Sequence, residues 1–213
     1  MRIRAFWLAA AFLAGCASLP EPAPPGDPEA LFAARRAELV ALTVWELRGR
    51  VALRAPGEGW QAGLRWLHRD GAQALDLTGP FGGGYLRLTE DDGGARLTDS
   101  SRRVYEAADA TMLLARTTGW QVPLDGLDHW VRGLPLPDVP ARRELDAHGR
   151  LKRLVQRGWN IEYLAYAEFA GHELPSRLYI SRELPAEPAA GPEDPRLEVR
   201  LAIQSWRLAA RDS

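Results

Sequence analysis

Apolar and polar side chains alternate along most of the chain, which is the pattern that half-buried β-strands produce. In the segment 44–55, Trp45, Leu47 and Leu53 fall on one face, while Glu46 and three arginines fall on the other. Turns rich in Gly and Asp separate the short segments, which indicates an antiparallel meander. The other segments with a period of two are 60–69, 72–78, 85–90, 95–99, 103–106, 142–147, 150–157, 159–166, 177–182 and 196–206.

Helical periodicity appears before the first strand and again in the middle of the chain. Asp27 and Asp109 are suitable N-caps, and Gly119 and Gly133 are suitable stop residues. The pattern therefore predicts one curved antiparallel sheet with a few helices on its concave face, which is a mainly β, α+β fold. A single domain is expected over residues 28–213. The predicted helices are 28–43, 110–118 and 124–132.

The N-terminus has the features of a bacterial lipoprotein signal. Arg2 and Arg4 precede an apolar segment of about ten residues, which is too short to span a bilayer at about 20 residues. The segment ends in Leu-Ala-Gly followed by Cys16, which resembles a lipobox. The prediction is a signal peptide over residues 1–15 and a lipid anchor on Cys16.

Residues 16–27 contain four prolines and predict an extended tether between the anchor and the domain. By resemblance to the sorting rule of enteric bacteria, Ala17 permits export to the outer membrane. Cys16 is the only cysteine, so no disulfide forms within the chain.

Composition and charge exclude some classes of partner. Hydrophobic residues make up 46% of the chain, enough to build a core. The chain has 27 basic and 28 acidic residues. Removal of Arg2 and Arg4 with the signal peptide leaves 25 basic residues, so the mature chain has a net charge of about −3 (25 − 28). Nucleic acid is therefore not an expected partner.

The sequence shows no constellation typical of an enzyme. Its four histidines lack metal-ligand spacing, and no Gly-x-Ser-x-Gly motif is present. The acidic pairs Asp91-Asp92 and Glu193-Asp194 fall in turn or loop segments. We expect no catalytic function, no metal site and no cofactor.

The stretch TGPFGGGY, residues 78–85, is unusual because one phenylalanine stands between a proline and three glycines. A phosphate-binding loop requires a following helix, and here a strand follows. A plain hairpin turn, or a Phe81 side chain folded back onto the core, are the remaining ordinary interpretations. Gly and Pro on both sides favour an aromatic side chain held away from the sheet. We interpret Pro80, Phe81, Gly82 and Gly83 as a loop that contacts the membrane.

Four motifs in this order resemble the outer-membrane lipoprotein receptor family LolB. They are Trp45–Gly49 at the first strand, Gly79–Gly82 after the third, Leu127–Pro135 in the region of the last helix, and Ile203–Trp206 near the end. Together with the lipobox and the tether, the resemblance covers nearly the whole mature chain.

The resemblance implies an unclosed β-barrel around helices, with an apolar cavity for acyl chains. It implies a monomer on the periplasmic face of the outer membrane. Such a receptor accepts triacylated lipoproteins from the periplasmic carrier LolA and inserts them into the phospholipid of the inner leaflet. Phe81 takes the position of a loop residue that is usually leucine in the family. The extra glycines and the long segment 184–195 are further departures from the family pattern.

The inward phase of the strands and the pattern of the last helix identify candidate residues for the cavity wall. Two rival functions remain: a lipid-anchored structural scaffold of the envelope, and a lipid-modifying enzyme. The enzyme would need a polar cluster inside the cavity, whereas the inward positions are mainly Leu, Val and Trp. The candidates are Leu47, Val51, Leu64, Trp66, Leu75 and Leu77 on the sheet and Leu127 and Trp130 on the helix.

Overall fold

A computed structural model describes residues 26–80, 84–184 and 196–209. Within these ranges three helices accompany eleven strands. The helices are α1 (Pro28–Val40), α2 (Ala110–Thr118) and α3 (Leu124–Val131). The strands are β1 (Val44–Ala55), β2 (Glu58–Arg69), β3 (Ala72–Thr78), β4 (Tyr85–Asp91), β5 (Gly94–Thr98), β6 (Val104–Ala107), β7 (Ala141–Leu145), β8 (Leu151–Gln156), β9 (Trp159–Phe169), β10 (His172–Glu183) and β11 (Arg196–Leu208).

All eleven strands form one antiparallel sheet in the order β6-β5-β4-β3-β2-β1-β11-β10-β9-β8-β7. Two meanders, β1 to β6 and β7 to β11, are joined where the first strand pairs with the last. In the described residues β6 and β7 are the edge strands, so the sheet does not close. The crossover between these edges carries α2 and α3. This arrangement confirms the predicted unclosed, mainly β architecture.

Helix α1 begins where the sequence predicts and ends earlier. The Asp27 side chain accepts a hydrogen bond from the Glu29 amide at 3.3 Å, as an N-cap does. The helix stops at Val40 instead of residue 43, because the chain must extend to enter β1 at residue 44. Phe32 and Leu39 are its buried side chains.

Strand β10 is longer than predicted. The pattern of the sequence placed its start at Arg177, but pairing with β9 begins at His172. The register shifts between Pro175 and Leu178, which interrupts the alternation of apolar and polar residues. Because of the proline and the register shift, the first part of the strand lacks the regular alternation from which strands are predicted.

Gly49 allows a close approach between β1 and β11. The register of this pair shifts between Arg48 and Gly49. A Cβ atom at Gly49 would lie 2.2 Å from the carbonyl oxygen of Ala202 and 2.9 Å from the Cα atom of Ile203. These are backbone atoms of the strand that joins the two meanders, so no side-chain rotation relieves the contact.

We therefore expect Gly49→Ala to destabilise the fold by about 1–3 kcal/mol or more, because the two strands must separate. Gly63 on β2 is the matched control. A Cβ atom there would meet only the carbonyl oxygen of Thr78, at 3.7 Å. Denaturant unfolding should show Gly63→Ala within about 1 kcal/mol of wild type. Equal stability of Gly49→Ala and wild type would contradict the close approach.

A charged network crosses the outer face of β1, β2 and β3. Arg65 donates to Glu46 at 2.8 Å and to Asp76 at 3.3 Å, and Arg48 donates to Glu46 at 2.7 Å. The Arg65 hydrogen bond, aided by Arg48, lowers the pKa of Glu46 from about 4.5 to about 2, although burial opposes the shift. Glu46 thus stabilises the folded state in its ionised form.

Glu46→Gln should lower the free energy of unfolding at pH 7 by about 1–2 kcal/mol, a value reduced for the half-exposed arginines. Because the pKa is depressed on folding, the contribution is complete above pH 4.5 and declines as the pH falls toward 2. Denaturant titrations of both proteins across this range should therefore converge. Glu106→Gln, at an exposed pair with Arg96, should change stability by less than about 1 kcal/mol. A pH-independent difference for Glu46→Gln would contradict this assignment.

Candidate functional site

An apolar cavity lies between the concave face of the sheet and the segment that carries α2 and α3. Its volume is about 60 Å³, and none of the surface it exposes is polar. Four strands form one side, and the helices with the connector 119–123 form the other. The lining residues are Val51, Leu53, Trp60, Leu64, Trp66, Leu75, Leu77, Leu114, Trp120, Val122, Leu124, Leu127, Val199 and Leu201.

The sheet side of the cavity follows from strand alternation, since every second side chain points to the same face. Val51 on β1 is paired in register with Leu201 on β11, and Leu64 on β2 is paired with Leu77 on β3. These inward positions carry Val, Leu and Trp, so the wall is apolar across β11, β1, β2 and β3.

The helix side depends on two short helices and their connector. Asp109 caps α2 by accepting from the Met112 amide at 2.7 Å. Gly119 ends this helix in the left-handed conformation at φ 79°, which glycine adopts readily. The chain then presents Trp120 to the cavity, with its ring centroid 4.9 Å from that of Trp60 on β2. The two indole rings close one part of the space between helices and sheet.

Trp120 shares one feature with the core residues Trp45 and Trp206. Its indole N–H is buried and has no hydrogen-bond acceptor among the residues that the structure describes. An unpaired buried donor costs about 1–3 kcal/mol. The connector therefore places a polar group without a protein partner beside the cavity.

Helix α3, in contrast, is firmly attached at its C-terminal end. Arg132 donates to the carbonyl oxygens of Leu39 and Leu42, each at 3.3 Å, and to the Asp128 carboxylate at 3.2 Å. His68 on β2 lies 3.8 Å from the same carboxylate. Burial lowers the pKa of the Arg132 guanidinium, and the Asp128 charge opposes that effect. The cluster joins α3 to the end of α1 and to the sheet.

Trp130 attaches the opposite side of α3 to strand β8. Its indole N–H donates to the Gln156 side-chain oxygen at 3.0 Å, and the side chain is fully buried. Gln156 in turn bonds the backbone of Leu136 and Val139. The Trp130 ring also packs against Gly126. A Cβ atom at Gly126 would lie 2.9 Å from this ring.

The structure brings six of the eight candidate wall residues to the cavity: Val51, Leu64, Trp66, Leu75, Leu77 and Leu127. Leu47 and Trp130 are fully buried but do not line it. Leu47 is paired across the sheet with Trp66 and Trp206, and Trp130 packs toward Trp159 on β9 at 6.3 Å between ring centroids.

Sequence reasoning did not nominate eight of the lining residues. Leu53, Trp60, Val199 and Leu201 share the inward phase and could have been named by the same rule. Trp120 and Val122 lie in a connector without periodicity, so no comparable signal was available. Leu114 and Leu124 lie on predicted helices whose orientation the sequence left open.

The base of the glycine-rich loop is described, but its tip is not. The Gly79 amide donates to the carbonyl oxygen of Gly84 at 3.0 Å, so the loop leaves and re-enters the sheet at one place. Pro80 is exposed. Phe81, Gly82 and Gly83 lie outside the described residues, as does the predicted lipid anchor Cys16.

The described ranges lack two further kinds of feature. No helix there is long and apolar enough to cross a bilayer. No three side chains of His, Cys, Asp or Glu lie together there in a way that could hold a metal ion.

Proteins of known structure share the unclosed sheet around helices. The structure matches that of a LolA superfamily protein from Nitrosomonas europaea with a TM-score of 0.55 and 10% identity, over 87% of this chain and 95% of that one. A DUF1329 family protein from Desulfovibrio piger matches with a TM-score of 0.52 and 8% identity, over 88% of this chain and 96% of the other. Matches at such low sequence identity establish a shared fold and no shared function.

Sequence similarity defines the family. The model of the family described as outer membrane lipoprotein LolB matches residues 43–206. The chain is 38% identical over 211 residues to outer-membrane lipoprotein LolB of Pseudomonas aeruginosa, across 97% of both chains. It is 36% identical over 200 residues to the protein of that name in Pseudomonas putida, across 92% of this chain and 91% of the relative. The chain belongs to the LolB family of outer-membrane lipoproteins, which localises lipoproteins and is not an enzyme family.

Proposed function

We propose that this protein is an outer-membrane-anchored receptor that accepts lipoproteins from the periplasmic carrier LolA and inserts them into the inner leaflet. The observation that carries the proposal is the cavity with a wholly apolar wall in a chain of the LolB family. Acyl chains are the part of a lipoprotein that such a wall would bind. The protein acts as a monomer anchored through Cys16 on the periplasmic face.

The cavity must open to take an acyl chain. Its volume is only about 60 Å³. Pockets for drug-sized ligands measure about 300–1,000 Å³. The described conformation is therefore too tightly packed to hold an acyl chain, and an incoming chain must displace part of the wall.

The connector and α2 are the elements that move in this proposal. The Ala110 amide joins the start of α2 to Glu90 on β4 at 2.8 Å, but the Trp120 indole N–H has no acceptor among the described residues. Arg132 and Trp130, in contrast, fix α3 by hydrogen bonds to other elements. Moving α2 with residues 119–123 would extend the apolar space along Leu114 and Trp120. Helix α3 would stay in place as a fixed wall.

Transfer through the receptor runs downhill in free energy. Each buried methylene contributes about 0.8 kcal/mol, so the carrier, the receptor and the bilayer can be ordered by how completely they cover the acyl chains. The receptor must hold the chains more tightly than the carrier and less tightly than the membrane. The loop at residues 80–83, with Phe81 at its tip, dips into the leaflet and lowers the barrier to release.

The proposal is tested with purified mature protein, carrier loaded with a labelled triacylated lipoprotein, and liposomes. Handover to the receptor is measured first, by co-purification without liposomes. Insertion is measured next, as the label that remains with liposomes after flotation. We expect both steps with wild type. Absence of handover would overturn the receptor function and leave the lipid-anchored scaffold as the alternative.

A further inference from the structure

A second, larger depression lies on the outer face of the sheet, and we call it the outer groove. Its volume is about 1,040 Å³, and its exposed lining is mostly apolar. The small residues Ala52, Gly63 and Ala202 line it at positions that alternate with inward-facing residues. The absence of long side chains at these points creates the depression.

Two arginines border this floor. Arg50 on β1 and Arg177 on β10 are both paired in register with Ala202 on β11. Neighbouring strands are about 4.8 Å apart, so the two arginines stand on either side of Ala202 with about 10 Å between their strands. Both are exposed, and neither has an ion pair or side-chain hydrogen bond within the described residues. Their guanidinium groups are free to bind an anion.

The remaining charges leave the groove cationic. Arg200 lies over the Tyr179 ring at 5.4 Å and contacts Glu198 at 3.2 Å. Glu162 is the one acidic residue that lines the groove, and it accepts a hydrogen bond from Asn160 at 3.0 Å. Three arginines and one glutamate line the groove, and Glu198 offsets the charge of Arg200, so the local net charge is +1 (3 − 2), although the whole chain is at −1.

The groove also borders the loop assigned to the membrane. Pro80, the first residue of that loop, lines the groove at one end. Leu164 lines it at the other end, on β9, and is 61% exposed. A loop that enters the leaflet from Gly79 and Gly84 would bring the groove to the level of the headgroups.

We propose that the outer groove binds the headgroup of an anionic phospholipid of the inner leaflet. Arg50 and Arg177 bind the phosphate, since a guanidinium presents paired donors to phosphate oxygens. The floor at Gly63 and Ala202 gives room for the glycerol moiety. An apolar wall beside cationic side chains matches the boundary between headgroup and acyl chain. This inference rests on the proposed receptor function only for the orientation of the outer groove toward the membrane.

The test uses the mature chain with Cys16→Ala, so that no acyl anchor holds it to vesicles. Co-sedimentation is measured with vesicles of phosphatidylcholine alone and with vesicles that contain phosphatidylglycerol. We expect binding to the anionic vesicles, and a loss of about 30-fold in Arg50→Gln/Arg177→Gln. Arg36→Gln/Arg116→Gln removes two exposed arginines without side-chain partners from α1 and α2, and should keep most of the binding.

Gly63→Gln is a second variant that fills the floor without a change in charge. Its Cβ atom would be 3.7 Å from the Thr78 carbonyl oxygen, an ordinary contact. Binding should fall toward that of the Arg50→Gln/Arg177→Gln variant.

Equal losses of vesicle binding in the Arg50/Arg177 and Arg36/Arg116 double variants would overturn headgroup binding in the outer groove. Such a result would indicate diffuse charge attraction instead. If the groove variants kept vesicle binding but lost handover from the carrier, headgroup binding would also be overturned. The groove would then bind a protein partner. Failure of handover with the expected vesicle binding would refute only the receptor function.

Discussion

Phe81→Glu is expected to slow insertion of a bound lipoprotein by roughly 10- to 100-fold, while acceptance from the carrier stays at the wild-type level. Burying a phenylalanine side chain in an apolar medium contributes about 1.5–3 kcal/mol, and each 1.4 kcal/mol corresponds to a factor of ten. The carboxylate also cannot enter the hydrocarbon region without a large cost. The two-step assay measures handover and insertion separately.

Phe81→Leu is the matched control, because it keeps an apolar side chain at this position. Insertion should remain near the wild-type rate. If Phe81→Glu reduced handover and insertion by the same factor, the effect would be one on folding. If Phe81→Leu lost insertion as fully as Phe81→Glu, apolar character at the tip would not be the property that matters.

Trp130→Ala should have the largest effect on stability, a loss of about 3–5 kcal/mol in the free energy of unfolding. The side chain is fully buried between α3 and the sheet, and its removal leaves a cavity. It also removes the 3.0 Å hydrogen bond to Gln156. Urea denaturation followed by circular dichroism measures the loss.

Trp130→Phe separates packing from hydrogen bonding. It keeps most of the volume and leaves one of the Gln156 interactions unmade, so the expected loss is about 1–3 kcal/mol. Gln156 would keep its bonds to the backbone of Leu136 and Val139. A Trp130→Ala protein as stable as Trp130→Phe would contradict the close packing of α3 against the sheet.

The period of two predicted the strands and their inward faces because a sheet with one solvated face imposes it on each strand. Of the six sheet residues nominated from that phase, five line the cavity. Leu47 shares the phase, but it faces the packed region beside Trp66 and Trp206. Whether an inward residue borders a space or a packed core depends on what covers it. The phase of a strand contains no information on that cover.

The helix side was less predictable for the same reason. Trp120 belongs to a connector whose position depends on α2, α3 and the sheet together. Arg132, in the motif shared with the LolB family, has the sequence character of a solvated residue. The structure buries it against the carbonyl oxygens of Leu39 and Leu42 at the end of α1. Contacts over such sequence separations arise only from the complete fold.

Binding of an acyl chain in the cavity is tested most directly by cross-linking from α2. A photoreactive amino acid is placed at Leu114, which is buried against the cavity, or at Met112, which is 46% exposed on the same helix. Carrier loaded with acyl-labelled lipoprotein is added, and the sample is illuminated. We expect an acyl cross-link from position 114 and none from position 112. Cross-links from 112 alone, or equally from both, would contradict an acyl chain held between helices and sheet.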